Sequence, residues 1–132
     1  MTRAEEVRLL RERASDDTTY RTVASRADYA SFTRCMLLAQ ARGFVPVRTG
    51  GDHIGMADYL RDRGKHAGLG TAHLLHRIGA QRLPKLKRLR TFADYDPHKT
   101  FTSGMAQEAV DLMDEIEGLL DQVEAEVQAL AG

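Results

Sequence analysis

Apolar residues recur along this chain at the three- and four-residue spacing of helices, and nowhere with the alternating period of a strand. From Tyr20 to Arg42, the residues Tyr20, Val23, Ala27, Ala30, Leu37 and Ala41 form one stripe, and Tyr29, Phe32 and Met36 form a second beside it. So broad an apolar surface predicts two neighbouring helices, or one neighbour and a second subunit. The last third is more regular. Ala109, Met113, Ile116, Leu120, Val123, Val127 and Leu130 alternate gaps of four and three, the period of a bundle or coiled-coil seam, with Thr102 or Ser103 as its cap.

Between these lie two shorter patterns. Asp52 to Arg63 reads as a helix capped by Asp52, with Ile54, Met56, Ala57, Tyr59 and Leu60 as its apolar members. Thr71 is positioned to cap another that carries Leu74, Leu75 and Ile78. Pro84 lacks an amide hydrogen and predicts a kink or restart there, with Leu83, Leu86 and Leu89 continuing the stripe. Thr2 to about Ala14 is charged, with only Val7, Leu9 and Leu10 as sizeable apolar residues, and reads as a weakly anchored leading helix. Ser15 to Thr19 supplies cap side chains, and Gly43 to Gly51 reads as a loop containing Pro46. The expectation is an all-α, up-and-down bundle of four main helices plus a short N-terminal helix, one domain over residues 1–132.

Composition agrees with a single small core. The chain has 132 residues, no Trp and only three prolines. Its one cysteine, Cys35, excludes an internal disulfide and reads as a packing residue. No apolar run approaches the roughly 20 residues of a membrane span, and the first residues lack the apolar core of a secretory signal. A cytoplasmic location without membrane attachment is therefore the expectation.

The net charge of zero conceals a segregation. All 19 Lys and Arg fall in residues 1–99 with 11 acids, whereas residues 100–132 hold eight acids and no base. A body of charge +8 can attract an anionic polymer such as RNA, or the acidic last helix can lie along that body and neutralise it. The basic residues are densest where Arg82, Lys85, Lys87, Arg88 and Arg90 surround Leu83, Leu86 and Leu89. Leucines facing the core would leave those bases on the opposite side, as a phosphate-binding face or an ordinary solvated one.

The segment Arg90-Thr-Phe-Ala-Asp-Tyr-Asp-Pro-His98 carries the candidate chemistry. Arg90 and Asp94 are i, i+4 neighbours able to pair on a helix. Tyr95 and Asp96 follow, and Pro97 puts His98 beyond the helix end.

Here the chain resembles the HEPN family, in a small bacterial subfamily with an R-x-x-A-D-Y-D motif. Ser25-Arg-Ala-Asp-Tyr-Ala-Ser-Phe32 resembles the family's first long helix, and Gly51-Asp-His53 with Tyr59-Leu60 its second. The likeness runs over roughly residues 20–130. It implies a helical bundle that forms a homodimer, brings both motif helices to one cleft and, in many members, acts as a metal-independent endoribonuclease. In that chemistry the ribose 2′-OH attacks the adjacent phosphate, a histidine moves protons and an arginine stabilises the phosphorane. Arg90 takes the phosphate role and His98 the proton role, with Asp94 and Tyr95 as further catalytic candidates. Arg82, Lys85, Lys87, Arg88 and His53 become candidate RNA contacts. The resemblance implies no cofactor or metal. It also implies a toxin–antitoxin or antiviral-defence setting, with a partner protein from the same locus.

This chain departs from the family's spacing, because seven residues separate Arg90 from His98. Either His98 folds back, or Asp94 and Tyr95 substitute, or catalysis is lost and a binding fold remains. A different class also stays open: a non-enzymatic helical module that binds a partner protein. Elsewhere, His73 and His76 stand i, i+3 but lack a third ligand at matching spacing, and Gly50-Gly51-Asp52 lacks the lysine and strand of a phosphate loop.

Overall fold

The computed structural model describes residues 1–41, 52–62 and 68–131, and the side chains of all of these except 52–55. The described residues form helices with no strand: α1 (Arg3–Arg13), α2 (Asp17–Ala41), α3 (Asp52–Asp62), α4 (Ala72–Arg77), α5 (Leu83–Tyr95) and α6 (Ser103–Ala131). A single π-helical turn, Ile78–Arg82, joins α4 to α5. The described residues thus make an all-α bundle of five rods, the number expected, with α4, the π turn and α5 running as one. The 43–51 loop, Gly43, Arg63 and the capping side chain of Asp52 lie outside the described residues.

Local chemistry explains where these helices begin. Thr2 and Glu5 form a reciprocal capping box at the start of α1, at 3.1 and 2.8 Å. Asp16 accepts the Thr19 amide at 2.8 Å and so caps α2. Thr102 Oγ1 accepts the Met105 amide at 3.1 Å and caps α6. The start of α4 differs from expectation. The Thr71 side chain does not cap it, and Glu126 from α6 instead accepts from the amides of Gly70 and Thr71 and the Thr71 hydroxyl, all at 2.7 Å.

The core lies where α2, the α4–α5 rod and α6 meet. Ala109, Met113, Ile116, Leu120 and Val123 of the α6 seam are buried, but Val127 is only partly covered and Leu130 is exposed. On α2 the buried face is rotated from the expected stripe. Val23, Ala24, Ala27, Ala30, Cys35, Leu38 and Ala39 are buried, whereas Leu37 is 65% exposed and Ala41 lies at the surface. Small residues let α5 and α6 approach α2 closely, and the larger Leu37 and Tyr29 are left outside. The leading helix is better anchored than its sequence suggests. Ala4 and Val7 are buried, Leu9 and Leu10 are not, and Arg8 reaches Asp114 at 2.9 Å and Glu117 at 3.2 Å.

Pro84 does not break its helix. The widened turn just before it, where the Leu83 amide reaches the Ile78 carbonyl, relieves the clash a proline makes with the preceding turn. Within that turn Gly79 crosses α3 backbone to backbone. A Cβ on Gly79 would meet the Ala57 carbonyl and lie about 2.5 Å from the Arg61 amide and 2.9 Å from Leu60 Cβ. Gly118, midway along α6, has open space at the same position.

These two glycines give opposite expectations. Gly79→Ala should lower unfolding stability by about 1–3 kcal/mol through overpacking. Gly118→Ala should raise it by roughly 0.5–1 kcal/mol, since it removes only glycine's entropic cost in a helix. Urea denaturation followed by circular dichroism checks both, and equal effects would contradict the crossing at Gly79.

A polar ladder between the second and fifth helices

One face of α2 carries Arg21, Ser25 and Asp28 at gaps of four and three, so they stack along one helical edge. Opposite them, α5 runs antiparallel and presents its C-terminal end. Asp28 is 1% exposed, and its Oδ2 lies 3.0 Å from Nε of Arg90. One rung further, Ser25 Oγ donates to Asp94 Oδ1 at 2.6 Å, while Arg90 Nη1 stands 3.6 Å from Asp94 Oδ2. The expected Arg90–Asp94 pair therefore forms, and two residues of α2 hold it in place.

Arg21 closes the ladder. Its guanidinium binds Asp17 at 2.6 Å, donates to the carbonyls of Ala93 at 2.8 Å and Phe92 at 3.4 Å, and also reaches the Lys99 carbonyl. It thereby satisfies the Ala93 carbonyl, which the end of α5 leaves open, and ties down the turn that follows through Lys99. Asp17 in turn accepts the Phe101 amide at 2.5 Å, and the buried Phe101 ring stacks obliquely on Phe92 at 5.8 Å.

Burial pushes the Asp28 carboxyl up to about 6; the Arg90 and Lys87 charges pull it back, and Asp94 opposes them. At neutral pH the group is still mostly ionised, and Arg90 is the nearest countercharge. The gap between its ordinary value and about 6 is worth roughly 3 kcal/mol against folding at neutral pH. Burial likewise drives the Cys35 thiol up to about 12, which suits a packing residue and not a nucleophile.

The remaining candidates fall in different places. Tyr95, the last residue of α5, is 72% exposed. His98 is exposed on the following turn, and no hydrogen bond or ion pair joins it to Arg90 among the described residues. Arg82 pairs with Glu115 at 3.0 Å and Lys85 with Glu108 at 3.5 Å, so both are partly neutralised by α6. Lys87 and Arg88 make no ion pair among the described residues. His53 falls in the first turn of α3, and its side chain lies outside the described residues. His73 and His76 are each tied to a backbone carbonyl, of Gly70 at 3.1 Å and Arg61 at 2.8 Å, which fixes the Nδ1 proton on both.

Sequence reasoning missed Arg21, Ser25 and Asp28. The available signal was an acid standing among Ala24, Ala27 and Ala30 on the buried face of α2. Family models, curated proteins and solved structures gave no match to this chain. Among the described residues no helix is long and apolar enough to cross a membrane, and no three His, Cys, Asp or Glu side chains gather as a metal site.

The raised Asp28 value has a definite sign. The fold prefers the protonated acid, so this group destabilises progressively as pH climbs from about 4 to about 6, the reverse of an ordinary paired carboxylate. Between pH 4.5 and 7.5, the stability of Asp28→Asn relative to the parent should therefore rise by about 2 kcal/mol. Parallel urea titrations at the two pH values check this, and a constant difference would contradict it.

Proposed function

We propose that this chain is a HEPN-type RNA-acting domain that grips a backbone phosphate at Arg90 and works as a homodimer. The observation that carries the reading is the clamping of Arg90 by a buried aspartate. A buried carboxylate costs stability unless paired, and such arrangements concentrate where a charged group must be held for use. Asp28 and Asp94 engage Arg90 Nε and Nη1, and the guanidinium has five N–H donors in all. Donors remain for a phosphate oxygen, and a pre-set guanidinium loses little freedom on binding.

Cleavage through 2′-OH attack, without a metal, is the reaction this site is suited to. Arg90 would stabilise charge on the phosphorane. Asp94 is occupied by Ser25 and Arg90, which leaves His98 as the proton carrier, exposed on a turn that Arg21 holds to α2. The exposed Tyr29 and Leu37 of α2 supply apolar surface for a second copy. RNA is the proposed partner, with a protein from the same defence or toxin–antitoxin locus as its control.

A second reading, a non-enzymatic module that binds a partner protein, rests on a groove of about 530 Å³. It runs between α1, α2 and α6, floored by Ala30, Met113, Ile116 and Leu120 and edged by Leu37.

Fluorescence anisotropy with a labelled single-stranded RNA separates the two. Arg90→Ala should weaken binding by roughly tenfold to a hundredfold, the worth of a charge-assisted hydrogen bond. His98→Ala should spare binding and abolish formation of 2′,3′-cyclic phosphate ends, which persists in EDTA for the parent. Binding that is undetectable in low salt, or unchanged by Arg90→Ala, would overturn the RNA reading.

A further inference from the structure

The ladder on α2 has one more step. Phe32 lies four residues beyond Asp28, on the same edge, and Lys87 lies three residues before Arg90 on α5. Where that step falls, the helices leave a cleft of about 260 Å³ bounded by α2, α3, the π turn and α5. Its apolar lining comes from Phe32, Ala57, Ala80, Leu83 and Pro84, and its charged members are Asp58, Arg61, Lys87 and Arg88. The opening follows from the sequence nearby. Gly79 draws α3 onto the rod at one point, while the π turn and Pro84 widen the rod immediately after it.

Charge selects the kind of ligand. Arg61, also on the cleft, is committed to Asp58 at 3.4 Å and Asp62 at 2.8 Å, so its charge is balanced locally. Lys87 and Arg88 have no such ion pair among the described residues, and α6 neutralises Arg82 and Lys85 instead. With Asp58 matched by Arg61, the cleft joins an apolar lining to the two remaining positive charges. It is smaller than the roughly 300 Å³ at which drug-sized pockets begin, which suits one ring system and not an extended ligand. A nucleobase with its phosphate combines a single ring system with an adjoining anion.

We propose that this cleft takes one unstacked base of single-stranded RNA, with the adjoining phosphate at Lys87 and Arg88. The inference rests on the RNA reading above and extends it. Lys87 and Arg90 are one helical turn apart, about 4.5 Å along the axis, so a strand crossing α5 meets the base cleft and the Arg90 clamp in succession. Duplex RNA, whose bases stay stacked, is excluded from such a site.

The test uses the full chain, a labelled single-stranded 12-mer, the same sequence as a duplex, and adenosine and uridine monophosphates. The single strand should bind at least tenfold more tightly than the duplex. Ala80→Leu, which fills the cleft and leaves every charge in place, should cost about tenfold in single-strand affinity, within the range measured for losing one stacked base. Lys87→Gln with Arg88→Gln should lower the slope of log affinity against log salt by roughly 0.7 to 1, the share of one phosphate. Amide shifts of the parent protein on adding a monophosphate should cluster at Ala80, Lys87 and Arg88, which needs no variant to fold. Single-strand binding that Arg90→Ala weakens and folded Ala80→Leu leaves unchanged would overturn the cleft alone. Monophosphate binding lost in Ala80→Leu, with no RNA bound, would uphold a site for free nucleotides and overturn the Arg90 reading. Absence of both kinds of binding would overturn the two together.

Discussion

Asp28 sits almost wholly out of water where α2 packs against α5, and the arrangement around it follows from that placement. A buried carboxylate is expensive, and Arg90 is the cation that offsets it. This fixes the register of α2 against α5, since a slip by one turn would leave both charges unpaired. Arg21 and Ser25 then fall opposite the end of α5 and bind its carbonyls and Asp94. The pair thus also sets the register of the two helices. What points further is its position, at the partly exposed edge of the bundle, where Arg90 keeps 26% of its side-chain surface.

The acidic last helix plays a different electrostatic part. Six of its acids, Glu108, Asp114, Glu115, Glu117, Asp121 and Glu124, pair with Arg8, Arg34, Arg82 and Lys85 of the body. These contacts are largely solvent-exposed, and each contributes at most about 1 kcal/mol. Their larger effect is to sort the basic residues. Arg82 and Lys85 are drawn toward α6, while Lys87, Arg88 and Arg90 remain on the side facing α2 and α3. The charge segregation in the sequence thus becomes internal neutralisation on one flank and leaves a positive edge on the other.

Much of this fold was legible from periodicity. The seam of α6, the extent of α2 and the all-α class follow from apolar spacing, because helix burial is a one-dimensional pattern. The face of α2 was harder to read. Ala24, Ser31 and Cys35 pack inward while Leu37 does not, since small residues gain close approach that hydrophobicity alone does not reveal. Gly79 gave a weak signal as a lone glycine inside a helical pattern, but its crossing partner on α3 is remote in sequence. Arg90 and Asp94 were found because they are i, i+4. Asp28, 62 positions away from Arg90, was not, because a pairing between elements so remote in sequence leaves no local spacing to read.

The central claim is that the buried Asp28–Arg90 pair is retained to present a guanidinium and not to stabilise the bundle. Replacing both partners at once, as Asp28→Leu with Arg90→Met, tests it most directly, because neither charge is left stranded. Buried pairs replaced in this way are often neutral or gain about 1–4 kcal/mol. The account predicts equal or greater stability in urea at pH 7 together with a loss of single-stranded RNA binding. A double variant that loses several kcal/mol and binds RNA as the parent does would contradict it.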